Sequence, residues 1–263
     1  MVDIHSHILP NIDDGPSNIT DSLVMLANTF ASGIDTVIST PHLIDGLSED
    51  RINECNEALV ELRNITEKND INIQLKSGFE CYITPDFTKK DANLSSVTIN
   101  KNGRYLLIEF PMKSIPPYAD EVFANLKTKG IMPIIAHPER NYEIMEDPNI
   151  LYNFILHGCL AQVNAGSIIG HYGKQIKETS KILLSHNMIH LIASDMHSVS
   201  SLTIKQAMPD LISIIGHNEA LDMINDNSFY ILLGREFKRK TPIPYEYQKR
   251  NIGNLFGTMR KKE

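Results

Sequence analysis

Metal-ligand side chains stand at the carboxyl ends of apolar segments throughout this chain. The segments are Val2–His7, Thr36–His42, Ile73–Glu80, Tyr105–Glu109, Met132–His137 and Ile189–His197. They present His5 and His7, His42, Glu80, Glu109, His137, and Asp195 with His197. His5 and His7 lie two apart on a strand, so their side chains share a face. Asp195 and His197 repeat that spacing near the far end of the chain. A lone His-x-His is weak evidence for a metal, and His42, His137 or His197 alone would read as a hydrogen-bonded structural histidine. Glu80 and Glu109 resist that plain reading, because a carboxylate ending a buried strand must be paired, hydrogen-bonded or metal-bound. Asp14, in the turn Asp13-Asp14-Gly15, joins the set. These donors are too numerous for one zinc with its usual ligands. Imidazole and carboxylate without thiolate suit two or three ions of the Mn²⁺, Fe²⁺ or Zn²⁺ type. Two divalent ions would balance about four carboxylate charges, and a third would leave a positive site that favours an anion such as a phosphoester. Arg140 follows in Ala136-His137-Pro138-Glu139-Arg140. Its plain role is a surface ion pair; its sharper role is a fork for phosphate oxygens.

Helical patterns separate these segments. Leu23, Leu26, Ala27, Phe30 and Ala31 follow helical spacing, with Thr20 or Asp21 to cap the start and Gly33 to end it. Ile52, Cys55, Leu59 and Leu62 mark a second helix, with Ser48 as its cap. Others are expected from Tyr118 to Lys129, from Asp147-Pro148 to Gly158, and from Lys174 to His186, with further helix from about Leu202. Leu160–Asn164 reads as another strand. Alternation of this kind implies a parallel sheet. Active sites of α/β barrels lie at the carboxyl ends of their strands, and closure would set the first and last strands side by side. The expected fold is therefore a distorted, seven-stranded barrel. Residues 84–102 break the pattern as a long loop, more in keeping with function than with a linker.

At 263 residues the chain fits one such domain. No apolar run suggests a membrane span, and the first residues lack the features of a signal peptide, so a cytoplasmic protein is expected. A net charge of -7 argues against nucleic-acid binding. Cys55, Cys81 and Cys159 form neither a disulfide framework nor a zinc site. Glu61, Phe87 and Ala165 stand six positions beyond them, so a thiolate phosphatase loop of the Cys-(x)5-Arg kind is absent. From Arg235 onward the chain turns basic. A solvated terminus is the preferred reading, and a peripheral contact with anionic membrane or an acidic partner the sharper one.

The motifs Asp3-Ile4-His5-Ser6-His7-Ile8-Leu9-Pro10, Asp13-Asp14-Gly15-Pro16, Ser39-Thr40-Pro41-His42, Ala136-His137-Pro138-Glu139-Arg140 and Ala193-Ser194-Asp195-Met196-His197 carry a resemblance. They resemble the polymerase and histidinol phosphatase superfamily, and within it the bacterial manganese-dependent protein-tyrosine phosphatases of the capsular and exopolysaccharide type. The resemblance spans residues 1–233 and leaves 234–263 as a basic tail. It implies a single-domain, distorted (β/α)7 barrel of the TIM type. It also implies a trinuclear centre, with Mn²⁺ first and Fe²⁺ or Zn²⁺ as alternatives. The implied ligands are His5, His7, Asp14, His42, Glu80, Glu109, His137, Asp195 and His197, with Arg140 on the phosphate. The implied partner is a phosphotyrosine protein, the tail of a bacterial tyrosine kinase. Some relatives carry an Arg soon after the Asp-x-His motif. Here Ser198-Val199-Ser200-Ser201-Leu202 follows, which leaves that load to Lys205 or to the metals and Arg140.

The expected chemistry is one-step phosphomonoester hydrolysis by a metal-activated hydroxide, without a covalent phosphoenzyme. Selectivity for the leaving group falls to the loops, with Ile8, Leu9, Leu43, Ile44 and Tyr82 as an apolar rim, or else as residues that pack the loops down. Rival readings are a small-molecule phosphatase of the histidinol-phosphate type and a non-catalytic metal-binding regulator. Amidohydrolase barrels also begin with His-x-His, but many use a bridging modified Lys where this chain has Glu.

Overall fold

The computed structural model describes residues 1–88 and 94–247. Its strands are β1 (Val2–Ser6), β2 (Thr36–Ser39), β3 (His42–Leu43), β4 (Gln74–Ser77), β5 (Glu80–Tyr82), β6 (Tyr105–Glu109), β7 (Met132–Ala136), β8 (Leu160–Asn164) and β9 (Leu191–Ala193). All pair in parallel, in the orders β1-β2-β4 and β3-β5-β6-β7-β8-β9. Helices Ile19–Ala31, Glu49–Lys68, Ala119–Thr128, Asn149–Leu156 and Lys174–Ser185 connect the strand segments. None among the described residues is long and apolar enough to cross a membrane.

Two expected strands are each bent in two. Thr36–His42 divides at Thr40-Pro41 into β2 and β3, and Ile73–Glu80 divides at Gly78-Phe79 into β4 and β5. Pro41 has no N–H to extend a ladder. At the other bend a Cβ on Gly78 would sit 2.9 Å from Ile38 Cγ2, so only glycine lets the chains pass this closely. After each bend the chain pairs in the second sheet. Among the described residues the strands therefore do not form one closed sheet. The turn Ile99–Lys101 enters beside β4 and β6, and Ile99 packs with Ile38, Tyr105 and Leu107.

The first and last strands do meet. A parallel bridge joins Ser6 to Met196, His7 N donates to Met196 O (2.9 Å), and Asp195 N donates to His5 O (3.0 Å). Buried Asp3 strengthens this seam, accepting from Ser194 N at 3.1 Å. Strands buried on both faces separate two apolar layers. Leu106, Ile108, Ile135, Val163 and Ile192 face the helices, whereas Leu107, Ile134, Leu160 and Leu191 form an inner cluster. Ile231 and Leu232, from the helix Ser228–Leu232, join the inner cluster. Continuing along the inner faces by the period of two, Leu107 leads to Glu109, and Leu160 leads to Gln162 and Asn164. The inner layer thus passes from apolar to polar towards the carboxyl ends.

Local signals mostly act as expected. Ser48 caps its helix by accepting from Arg51 N, and Gly33 and Gly130 follow helix ends at φ 98° and 76°. The first helix differs: its cap is Asn18, which accepts from Asp21 N, rather than Thr20 or Asp21. Its buried face is Ser22, Met25, Leu26 and Thr29, so Phe30 is left exposed. Thr29 Oγ1 reaches Met196 Sδ at 3.4 Å, which orients that face towards the β1–β9 seam. The basic segment is only partly solvated, because residues 235–247 lie on the body. Asn149 exchanges two hydrogen bonds with the Tyr245 backbone, Ile243 N donates to His186 O, and Tyr247 Oη donates to Asp147 Oδ1. Residues 248–263, the rest of that tail, lie outside the described residues.

Candidate metal centre

The β1–β9 seam sets the two spaced pairs against each other. The imidazoles of His7 and His197 stack at 4.0 Å, and His5 Nε2 lies 3.2 Å from His7 Nε2. The β1–β2 register shifts between Asp3 and Ser6. That irregularity lets both Ile4 and His5 serve the inner layer: Ile4 joins its apolar cluster, and His5 Nδ1 meets Gln162 Oε1 of β8 at 2.8 Å. Strand irregularities re-aim side chains in this way.

Three overlapping groups of donors result: His7, Asp14, His42 and His197; His5, His7, Glu80 and Asp195; and His42, Glu80 and Glu109. Within each group the ligand atoms lie within 4.8 Å of one another. His7, His42 and Glu80 each belong to two groups. His137 adjoins the last two, its Nε2 lying 2.8 Å from Glu80 Oε1 and 3.8 Å from Glu109 Oε1. Every histidine and carboxylate singled out above as a candidate ligand is thus in one neighbourhood. Asp14 is the exposed member, with 64% of its side chain accessible, yet its Oδ1 is 3.3 Å from His197 Nε2.

Charge governs this cluster. Burial alone would lower the His5 pKa, but Glu80 and Asp195 outweigh it and raise it to about 9. His7 is likewise held well above its ordinary value, because hydrogen bonds to Asp13 and Glu80 overcome burial. Burial, with Glu80 beside it, pushes the Glu109 carboxyl up to about 7. So many buried carboxylates demand positive charge at these atoms, and divalent cations meet the same demand. The donor set fits such ions on a second count. Asp195 Oδ1 and His42 Nδ1 are buried without a hydrogen-bond partner among the described residues, and both face other donors of the cluster. His137 and Asp195 also hold φ of 28° and 51°, a backbone region that side-chain-bearing residues rarely adopt. Such outliers cost about 1–3 kcal/mol each and persist where the surroundings over-determine them.

A second row of residues orients the first. Asp13 Oδ2 accepts from His7 Nδ1 at 2.7 Å and from His42 N at 3.1 Å. Those bonds hold the Asp13 carboxyl at about 2 against the upward pull of burial. Asn164 Nδ2 donates to Asp195 Oδ2 (2.6 Å), and its own N–H donates to Glu139 Oε1 (2.9 Å). Sequence reasoning gave none of these a role. The available signal was Gln162 and Asn164 at alternate positions of an otherwise apolar strand.

The cluster floors a cavity of about 400 Å³ lined also by Met112, Arg140, Tyr172 and Ser201. Arg140 Nη1 is 3.1 Å from Asp195 Oδ2, and the guanidinium lies 4.9 Å from the Tyr172 ring centre. Tyr82 and Lys205 are not in the lining. Ile8, Leu9 and Leu43 are core residues and Ile44 is exposed, so the first three pack loops down. The aromatic wall is supplied by Tyr172, in a loop that carried no expectation.

A parallel α/β scaffold with an imidazole–carboxylate cluster at its strand ends has the geometry of metal-assisted hydrolysis. The particular family is narrower. The family described as "Capsular polysaccharide synthesis, CpsB/CapC" matches residues 1–233, and the chain belongs to it. It is 36% identical to the tyrosine-protein phosphatase YwqE of Bacillus subtilis, over 98% of this chain and 99% of that one. It is 30% identical to the tyrosine-protein phosphatase CpsB of Streptococcus pneumoniae, over 89% and 98%. Among solved structures, one described under "YwqE from Bacillus subtilis and CpsB from Streptococcus pneumoniae, unique metal-dependent tyrosine phosphatases" superposes with a TM-score of 0.87. It is 34% identical, over 94% of this chain and 100% of that one. A phosphotriesterase homology protein from Escherichia coli superposes at 0.53 with 13% identity, over 88% of this chain and 98% of that one; this likeness concerns the fold alone.

Asp13 gives a direct test of the second row. Asp13→Ala should weaken Mn²⁺ binding by about 10–100-fold, the usual effect of losing a residue that orients a ligand. Titration calorimetry on the metal-stripped protein reads it, with circular dichroism to confirm folding. Unchanged affinity would leave Asp13 as a turn former that bonds Gly15.

Proposed function

We propose that the chain is a metal-dependent protein-tyrosine phosphatase acting in capsular or exopolysaccharide synthesis. One observation carries the reading: the cavity has the imidazole–carboxylate cluster as its floor and a fixed arginine in its wall. Family membership and the names of the relatives support phosphotyrosine as the substrate. The residues that would hold the ions are His5, His7, Asp14, His42, Glu80, Glu109, His137, Asp195 and His197. Bound divalent ions supply Lewis acidity and lower the pKa of water towards neutrality. Two or three would be accommodated, with Mn²⁺ first and Fe²⁺ or Zn²⁺ as alternatives, since the donor set lacks thiolate.

The chain's own residues do the rest. Arg140 offers planar donors to two phosphate oxygens, and Asp195 holds one end of it. Asp13, Gln162 and Asn164 keep the ligand side chains oriented. Cys55, Cys81 and Cys159 are buried and stand outside the cavity lining, and burial raises all three thiol pKa values. Hydrolysis without a covalent phosphoenzyme agrees with that. The proposal extends to a cytoplasmic location and to the phosphorylated tail of a tyrosine kinase as partner. It reads the two sheets as a distorted (β/α)7 barrel over residues 1–233, supported by the hydrogen bonds across the β1–β9 seam. Residues 234–263 form the basic tail.

The experiment is kcat/KM for a phosphotyrosine peptide, a phosphoserine peptide and histidinol phosphate, before and after chelation. Phosphotyrosine should be preferred, chelation should abolish turnover, and Mn²⁺ should restore it. Equal or better use of histidinol phosphate would overturn the tyrosine assignment, and activity indifferent to chelator would overturn the metal.

Arg140→Ala should lower phosphotyrosine turnover by about a hundredfold or more, as loss of a transition-state donor does. Metal content by elemental analysis should remain unchanged. Near-normal kinetics would return Arg140 to a structural partner of Asp195.

A further inference from the structure

Tyr172 occupies an unusual position for a loop residue. It lies in Gly170-His171-Tyr172-Gly173, and both glycines have positive φ, 89° and 101°. His171 N donates back to Gly166 O at 2.9 Å, which folds the loop over the helix Ala165–Ile169. The Tyr172 ring then rests on Gly166. A Cβ built there would lie 2.9 Å from the ring's Cε2 and 3.3 Å from its Cζ. A side chain on Gly166 would push the ring off this seat. From that seat the ring meets the Arg140 guanidinium at 4.9 Å, while 37% of the residue stays exposed. Met112, also part-exposed at 39%, lines the same cavity. They are the only apolar side chains among the described lining residues; the others are acidic, imidazole, guanidinium or hydroxyl.

The metal ligands and Arg140 address the phosphoryl group and take no account of what it is attached to. Information about the leaving group must come from the remaining lining. We propose that Tyr172, seated on Gly166 and sharing the cavity lining with Met112, is the specificity-determining residue that receives the aromatic ring of an aryl phosphate. This rests on the phosphatase reading and adds to it the residue that selects the substrate class. Aromatic pairs gain from offset or edge-on packing beyond the area they bury. The alkyl ester of phosphoserine presents no ring to make that contact.

Binding of non-hydrolysable probes tests this without turnover. Phenylphosphonate and methylphosphonate share the phosphoryl chemistry and differ in the ring. Their affinities for the metal-loaded protein are to be measured by calorimetry, in the parent and in Tyr172→Phe, Tyr172→Leu and Gly166→Ala. Tyr172→Phe should match the parent within about twofold. Tyr172→Leu should weaken phenylphosphonate about fivefold to tenfold, the worth of one aromatic contact, and methylphosphonate by less than about twofold. Gly166→Ala should act in the same direction by displacing the ring while leaving its chemistry intact. Circular dichroism checks folding, and the Phe and Ala variants keep the test open should Leu misfold. Equal weakening of both probes would overturn the proposal, because Tyr172 would then act only through Arg140. Unchanged phenylphosphonate affinity would overturn it as well. A parent that binds neither probe would remove the phosphatase reading itself, a result distinct from either of these.

Discussion

Negative charge concentrated in a buried place is the constraint on which this structure depends. Glu80, Asp195 and Glu109 converge at the strand ends with little solvent around them. Mutual repulsion and desolvation would separate them unless positive charge lies among them. Four parts of the chain bring imidazoles to these carboxylates. His5 and His7 come from β1 and the residue after it, His42 from β3, His137 from the end of β7, and His197 from beyond β9. The seam between β1 and the segment after β9 serves the same requirement, since it sets the two spaced pairs, His5 with His7 and Asp195 with His197, against each other. The strained backbones of His137 and Asp195 fall where this demand is sharpest.

The scaffold meets the constraint by interrupting its own regularity. The register shift in β1 delivers His5 beside Ile4 on the inner layer. The bends at Pro41 and Gly78 re-aim the chain just before His42 and Glu80. Those two residues are paired directly in register once the bends are made, so one pair of kinks places both side chains at once. Around them, neutral amides hold charged or titrating groups in place: Gln162 under His5 and Asn164 under Asp195. A neutral partner orients without adding further charge to a site already crowded with carboxylates.

Much of this was legible in the chain, and for definite reasons. Apolar runs ending in imidazole or carboxylate side chains mark strand ends, and they converge as expected, although Asp195, at φ 51°, and His197 lie beyond the regular strand that their two-residue spacing assumes. The helix ends at Gly33 and Gly130 were legible because left-handed turns need glycine. Asp13 was hidden by its neighbour: adjacent carboxylates in a turn give no local sign of which meets an imidazole. Tyr172 was hidden because its partners, Arg140 and Gly166, are distant in sequence or featureless as a type. The bent strands were hidden because Thr36–His42 and Ile73–Glu80 each have the length of one strand. The break depends on which neighbour each half pairs with.

The central claim is that this cluster is built for several cations sharing ligands, and anomalous diffraction tests it most directly. Crystals grown with Mn²⁺ would be measured above and below the manganese absorption edge. The account predicts two or three anomalous peaks in the cavity, each beside imidazole and carboxylate groups of the three donor groups, with the two oxygens of Glu80 able to serve two of the ions. A single peak, or peaks bound elsewhere with this cluster left bare, would contradict it.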